Sequence, residues 1–179
     1  MGVFKRRGSE TQDMNDFIDQ YRQRVRRKLS RKESEPVVRK VELLCLPSFH
    51  AETVLRIVER PDGTVFRLFT LTENLWCAED EMAVERFHES ASVSKRRADK
   101  FWKSVTEMAP LATKVDEILD GMTVLLALQI DRIFIEVETN KLNLNKPIGM
   151  LVARILNEGA SALRDANSRE RLKEIREYL

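Results

Sequence analysis

The stretch from Thr53 to Leu71 constrains the fold of this chain most. Thr53 to Glu59 and Thr64 to Leu71 are rich in β-branched and aromatic residues, and Arg60-Pro61-Asp62-Gly63 lies between them. Proline presets φ at the first corner of a turn, and glycine tolerates the positive φ that closes it, so the pattern predicts a β-hairpin. Just upstream, Val41, Leu43 and Cys45 alternate with Lys40, Glu42 and Leu44 until Pro47. That period of two predicts a strand over 37–46.

A second apolar run extends from Met122 to Glu138. It is too long for one ordinary strand and too β-branched for a comfortable helix, which predicts a second hairpin turning near Asp131, although no glycine marks the turn. The helices show a different period. After Ser92 and Ser94, both suitable caps, Ala98, Phe101, Trp102, Val105 and Met108 form a stripe of about 120°. Pro110 interrupts it, and a further helical stretch through Val115, Ile118 and Leu119 runs to Asp120-Gly121. Asn145 as cap and Pro147 in the first turn predict a helix carrying Ile148, Leu151, Val152, Ile155 and Leu156, which Gly159 ends or weakens. A last helix from about Ser168 places Leu172, Ile175 and Leu179 on one face. Residues 72–91, polar and acidic around Trp76 and Cys77, read as a loop with at most one helical turn.

The N-terminal segment has its own character. Residues 1–40 carry twelve Lys/Arg against six Asp/Glu, whereas the rest carries nineteen against twenty-three. Ser9 and Gln12 resemble a capping box, and Met14, Phe17, Ile18, Tyr21, Val25 and Leu29 recur at helical spacing, predicting a helix from about Gln12 to Lys32. Arg22, Arg24, Arg26, Arg27 and Lys28 occupy the other face. Glu33-Ser34-Glu35-Pro36 then breaks the helix, because proline disfavours helical geometry in the residue before it. These boundaries predict a basic amphipathic helical arm over 1–35 and a single α+β domain over 36–179. In that domain, antiparallel hairpins form a sheet packed against amphipathic helices.

A chain of 179 residues, 42% of them hydrophobic, can bury a core without disulfide or metal staples. Cys45 and Cys77 are far apart, and reduced thiols in a cytoplasmic protein are the expectation. No stretch approaches the roughly 18 apolar residues of a spanning helix. Met1-Gly2 would begin a myristoylation signal, but Arg6 stands where that signal wants Ser or Thr.

Little points to catalysis. No Gly-x-Ser-x-Gly turn exists, and only His50 and His88 offer imidazole bases, to Cys45 or Cys77. Cys and His lack zinc-site spacing, and the acidic run Glu79-Asp80-Glu81 lacks the alternating ligands and glycine of a calcium loop. The six glycines never cluster into a phosphate cradle. Glu136 and Glu138, a formal candidate acid pair, read as polar positions on a half-buried strand. The expectation is no cofactor and no metal.

The order Leu46-Pro47-Ser48-Phe49, the Arg60–Gly63 hairpin turn, Phe101-Trp102 on a following helix, Leu119-Asp120-Gly121 before a second hairpin, and Pro147 opening a helix resembles small uncharacterised bacterial α+β proteins, some of them immunity-like. The resemblance covers about residues 37–165, carries no catalytic residue across, and implies the α+β fold. The functional expectation is a non-enzymatic protein-interaction module, such as an immunity or accessory factor. Arg22, Arg24, Arg26, Arg27 and Lys28 are the candidate contacts to a polyanion or a protein partner, and Trp76 is a candidate interface anchor. The alternatives are a nucleic-acid-associated protein using the arginine-rich helix, contact with an anionic membrane surface through it, and an enzyme with an unrecognised site. The same helix could equally dock on its own domain with its arginines solvated.

Overall fold

Gly63 adopts φ of 146° and faces Arg60 across the strand register, so Pro61-Asp62 forms the two-residue tip of the expected hairpin. The computed structural model describes residues 7–29, 36–48, 50–112, 122–130, 133–139 and 143–179, with side chains from residue 16 onward. In it, β1 (Arg39–Leu46), β2 (Thr53–Arg60), β3 (Gly63–Leu71) and β4 (Arg86–Val93) form a meander. The second hairpin, β5 (Thr123–Ile130) and β6 (Ile133–Thr139), pairs through β5 with β1. The result is one antiparallel sheet in the order β4-β3-β2-β1-β5-β6.

Both faces of this sheet are apolar at its centre, and each is covered. Val41, Leu43 and Cys45 of β1, with Leu55 and Ile57 of β2 and Val124, Leu126 and Leu128 of β5, point to one side. There they meet α2 (Lys95–Met108), α3 (Pro147–Ala162) and α4 (Ala166–Arg176). Phe101, Trp102 and Val105 of α2 are fully buried in this core, and the Trp102 indole N–H donates to Thr64 Oγ1 at 3.1 Å. A short 3-10 turn, Ala109–Leu111, follows α2 and contains Pro110. The further helical stretch expected around Val115 to Leu119 lies outside the described residues.

The opposite face belongs to α1 (Arg7–Leu29). Tyr21, Val25 and Leu29 are buried against Leu44, Val54, Phe69, Leu71 and Leu125 of the sheet. The helix that the sequence presents as an arm is therefore a third layer, because its apolar stripe finds a complementary stripe on the sheet's second face. It also begins at Arg7, which puts Ser9 and Gln12 inside the helix. The expected hinge at 33–35 lies outside the described residues.

Three local expectations are corrected. Residues 86–91 are not loop but part of β4, an edge strand whose alternate positions are exposed and which carries too few large apolar side chains to stand out. Ser92 lies in that strand, and Ser94 occupies the N-cap of α2 without a side-chain cap bond. Lys146, not Asn145, is the cap of α3, and that helix runs through the buried Gly159 to Ala162. Finally, α4 starts ahead of Ser168, because Asp165 is its cap and accepts from the backbone N–H groups of Asn167 and Ser168 at 2.8 and 3.1 Å.

Candidate functional site

The arginine-rich face of α1 turns toward acidic parts of its own chain. Arg22 pairs with Glu138 and Arg26 with Glu136 at 3.4 Å, so both carboxylates of β6 that seemed a formal acid pair are ion-pair partners instead. Arg24 pairs with Glu81. The Lys28 ammonium donates to the backbone carbonyls of Glu81 and Val84 at 2.5 and 3.0 Å. Arg27 also has a partner. Pairs of this exposure are each worth about 0–1 kcal/mol, yet together they fix how α1 lies across the sheet.

A second arrangement surrounds Trp76. The loop over 72–85 is closed at its neck, where Thr72 N–H donates to the Glu85 carbonyl at 3.0 Å and Glu85 N–H to Thr72 Oγ1 at 3.0 Å. Inside the loop, Asn74 is almost fully buried and uses both ends of its amide. Its Nδ2 donates to the carbonyls of Pro47 and His50 at 3.0 and 2.7 Å, and its Oδ1 accepts from Trp76 N–H at 2.9 Å and Cys77 N–H at 3.3 Å. Leu75 N–H meets both carboxylate oxygens of Glu52, at 3.0 and 2.9 Å. Glu52 itself is 0% exposed and also accepts the Tyr21 hydroxyl of α1. Burial, together with the adjoining Glu52 carboxylate, holds that hydroxyl well above the ordinary phenol range. A buried carboxylate is costly unless its lone pairs are filled, and here the backbone of the loop and a side chain of α1 fill them.

This anchoring presents Trp76 to solvent in a fixed pose. Its ring meets Tyr21 edge to face at 4.9 Å and Phe17 at 5.1 Å between centroids. Tyr21 is buried, whereas Trp76 is 50% and Phe17 46% exposed. The pair forms an outward aromatic platform on two elements clamped by one carboxylate. Asp16 and Asp19 flank Phe17 along α1, and Glu73, Glu79 and Asp80 flank Trp76 along the loop, all of them exposed. Asp19 pairs with Arg22 at 3.5 Å, and Arg22 and Arg24 also hold Glu138 and Glu81, so the exposed charges nearest the pair in sequence are the acids Asp16, Glu73, Glu79 and Asp80, the reverse of the sign expected from the N-terminal sequence.

Sequence reasoning found Trp76 but missed Phe17, Tyr21, Glu52 and Asn74 as its supports. A glutamate next to the apolar opening of β2 was the available signal, since a charge at such a position demands partners. The candidate thiol dyads do not form. Cys45 is buried in the core, its thiol pushed up to about 12 by burial, and His50 Nδ1 instead meets Tyr178 Oη at 2.7 Å. His88 stacks on Phe69, with centroids 5.5 Å apart. Among the described residues no group of three or more His, Cys, Asp or Glu is placed to hold a metal ion, and no helix is long and apolar enough to cross a membrane. A scan against protein-family models finds no match to this chain, and a search of curated proteins finds no matching relative.

Proposed function

We propose that the chain is a non-enzymatic protein-interaction module that grips a basic surface of a partner protein, as an immunity or accessory factor does. The observation that carries this reading is the half-exposed Trp76–Phe17 pair, held by Glu52 and Asn74, with the exposed acids Asp16, Glu73, Glu79 and Asp80 on the same two segments. Aromatic anchors of this kind concentrate binding energy, and a pre-positioned side chain loses little freedom when it binds. The nucleic-acid reading has less support, because Arg22, Arg24, Arg26 and Lys28 already hold carboxylates and carbonyls of their own fold. The same engagement weakens the case for a membrane surface. The enzyme reading has no assembled nucleophile and base behind it among the described residues.

The test is comparative capture. Parent protein, Trp76→Ala, the pair Glu79→Lys with Asp80→Lys, and the pair Arg26→Gln with Arg27→Gln are immobilised at equal density and offered a nuclease-treated lysate. The reading predicts a stoichiometric protein partner lost with the first two changes and retained with the third. Loss of Trp76 should weaken binding by about 2 kcal/mol or more. Because Trp102 is buried and Trp76 exposed, partner binding should also shift the Trp76 emission to the blue. A partner that ignores Trp76, or one lost only with the arginines and with nuclease, overturns the reading.

A further inference from the structure

At the far edge of the sheet from β6, strand β4 borders a groove of about 800 Å³. One wall consists of six consecutive residues, Glu89 to Ser94, and the other of Arg97, Ser161 to Arg164, and Arg169. Consecutive residues of a strand point to opposite faces of its sheet, so six in a row can line one groove only along the strand's edge. That edge is open along the groove. β3 takes one side of β4, and among the described residues no backbone–backbone hydrogen bond joins 89–93 to another element on the other side.

An unpaired edge is a template for another strand, and exposed ones are normally blunted by charge, bulges or a covering element. Here the exposed side chains beside the groove are small, Ser90 and Ser92, and the opposite wall stands far enough away to leave space instead of a cover. The six residues span about 17 Å at the rise of a strand.

The groove also has a sign. Glu89 is turned to its own chain: Oε1 accepts from the backbone N–H groups of Arg164 and Asp165 at 2.7 and 3.1 Å, Oε2 is buried without a hydrogen-bond partner among the described residues, and Arg169 lies close enough to favour the carboxylate's charge. Arg97 is committed to Glu158, at 3.1 Å, and to the carbonyls of Glu158 and Ser161. The guanidinium groups of Arg164 and Arg169 are exposed, and neither forms an ion pair among the described residues. Against the one carboxylate of Glu89, Arg164 and Arg169 leave the groove positive on balance.

We propose that the outer edge of β4 is a docking site for an extended acidic segment of a partner protein, which adds to the sheet as a seventh strand. Its backbone pairs with the open edge, and carboxylates on alternate residues meet Arg164 and Arg169. The groove is lined by residues other than Trp76, Phe17 and their supports and is opposite in charge, so it does not depend on the reading given above.

The experiment uses the full chain as bait for random linear peptides displayed on phage. Enriched peptides are expected to be acidic at alternating positions, to bind Arg164→Glu and Arg169→Glu proteins at least about tenfold more weakly than the parent, and to bind Trp76→Ala unchanged. Methylating alternate backbone nitrogens of an enriched peptide separates strand addition from a simple charge contact and should abolish binding, with no change to the protein and so no question of its folding. Circular dichroism of the two arginine variants checks that they remain folded. The proposal is overturned if no peptide is enriched above background, if enriched peptides are neutral or basic, or if N-methylation leaves affinity unchanged. It is equally overturned if the chain dimerises and Arg164→Glu dissolves the dimer, for then a second copy fills the edge.

Discussion

The Tyr21 hydroxyl of α1 donates to the carboxylate of Glu52, a fully buried residue of the connection from β1 to β2, which simultaneously receives Leu75 N–H of the Trp76 loop. One side chain thus joins helix, sheet and loop. Replacing Tyr21 with Phe keeps the ring and removes the donor. Leaving a buried charged acceptor short of one hydrogen bond costs about 1–3 kcal/mol, so chemical denaturation should register a loss in that range. Emission from Trp76 should shift as well, since its ring packs on Tyr21. A stability change near zero would mean that Glu52 is adequately held by the loop alone.

If α1 is a layer of the fold, emptying its contact must hurt. Leu29 is 1% exposed in the second core, and Leu29→Ala should cost about 2–4 kcal/mol, with the whole protein melting earlier in a single transition. A freely standing arm would give almost no loss, so differential scanning calorimetry distinguishes the two arrangements.

On the α1 face of the sheet, Arg56 is nearly buried and reaches Glu42 at 2.8 Å, while Lys40 meets the same carboxylate at 2.8 Å. Burial alone would raise the Glu42 pKa, but the charges and hydrogen bonds of Arg56 and Lys40 outweigh it and hold the carboxyl below its usual range. A depressed folded-state pKa means stability that is complete above the unfolded value of about 4.3 and lost as pH falls through the lower folded one. Glu42→Gln should therefore destabilise the protein at neutral pH by about 2–3 kcal/mol, less than a fully enclosed pair because Glu42 keeps some solvent and Arg56 also packs on Phe69. Urea titrations from pH 7 downward should show parent and variant converging below about pH 4.

Gly159 lies where α3 crosses β2 and α4. A methyl group there would sit 2.6 Å from Leu55 Cδ2 and 3.2 Å from Leu172 Cδ1. Alanine raises helix propensity by about 1 kcal/mol, but Leu55 is enclosed by the core and has no room to retreat, and overpacking costs about 1–3 kcal/mol. The net expectation for Gly159→Ala is a loss of about 0–2 kcal/mol, read as a fall of up to roughly 8 °C in Tm. A gain in Tm would show that Leu55 adapts.

Strands and helices with strong periodicity were legible in the sequence: the Pro61-Asp62 hairpin, the glycine-free hairpin with Ile130 facing Ile133, and the Phe101-Trp102 helix all stand as read. Strand β4 was not, because an edge strand needs few apolar residues and Arg86, His88, Ser90 and Ser92 look like loop. The amphipathic pattern of α1 was visible, but a stripe does not say which surface it covers, and the alternation in β1 to β3 gave no warning that both faces of the sheet were apolar. For the same reason the arginines looked available. Their partners, Glu81, Glu136 and Glu138, lie 57 to 116 residues away in sequence. At the candidate site, Trp76 could be singled out as an unusual exposed aromatic, whereas its clamp by Glu52 and Asn74 rests on backbone contacts that leave no sequence pattern.

Because α1 rests on residues drawn from β1, β2, β3, β5 and β6, the surface that receives it is finished only when residue 138 has joined the sheet. During synthesis α1 thus emerges well before the surface that receives it is complete. For most of the chain's translation a basic, amphipathic helix-former is exposed with its apolar side unclaimed, a state in which hydrophobic surface invites association. Docking of α1 is completed only when Glu136 and Glu138 arrive to pair with Arg26 and Arg22.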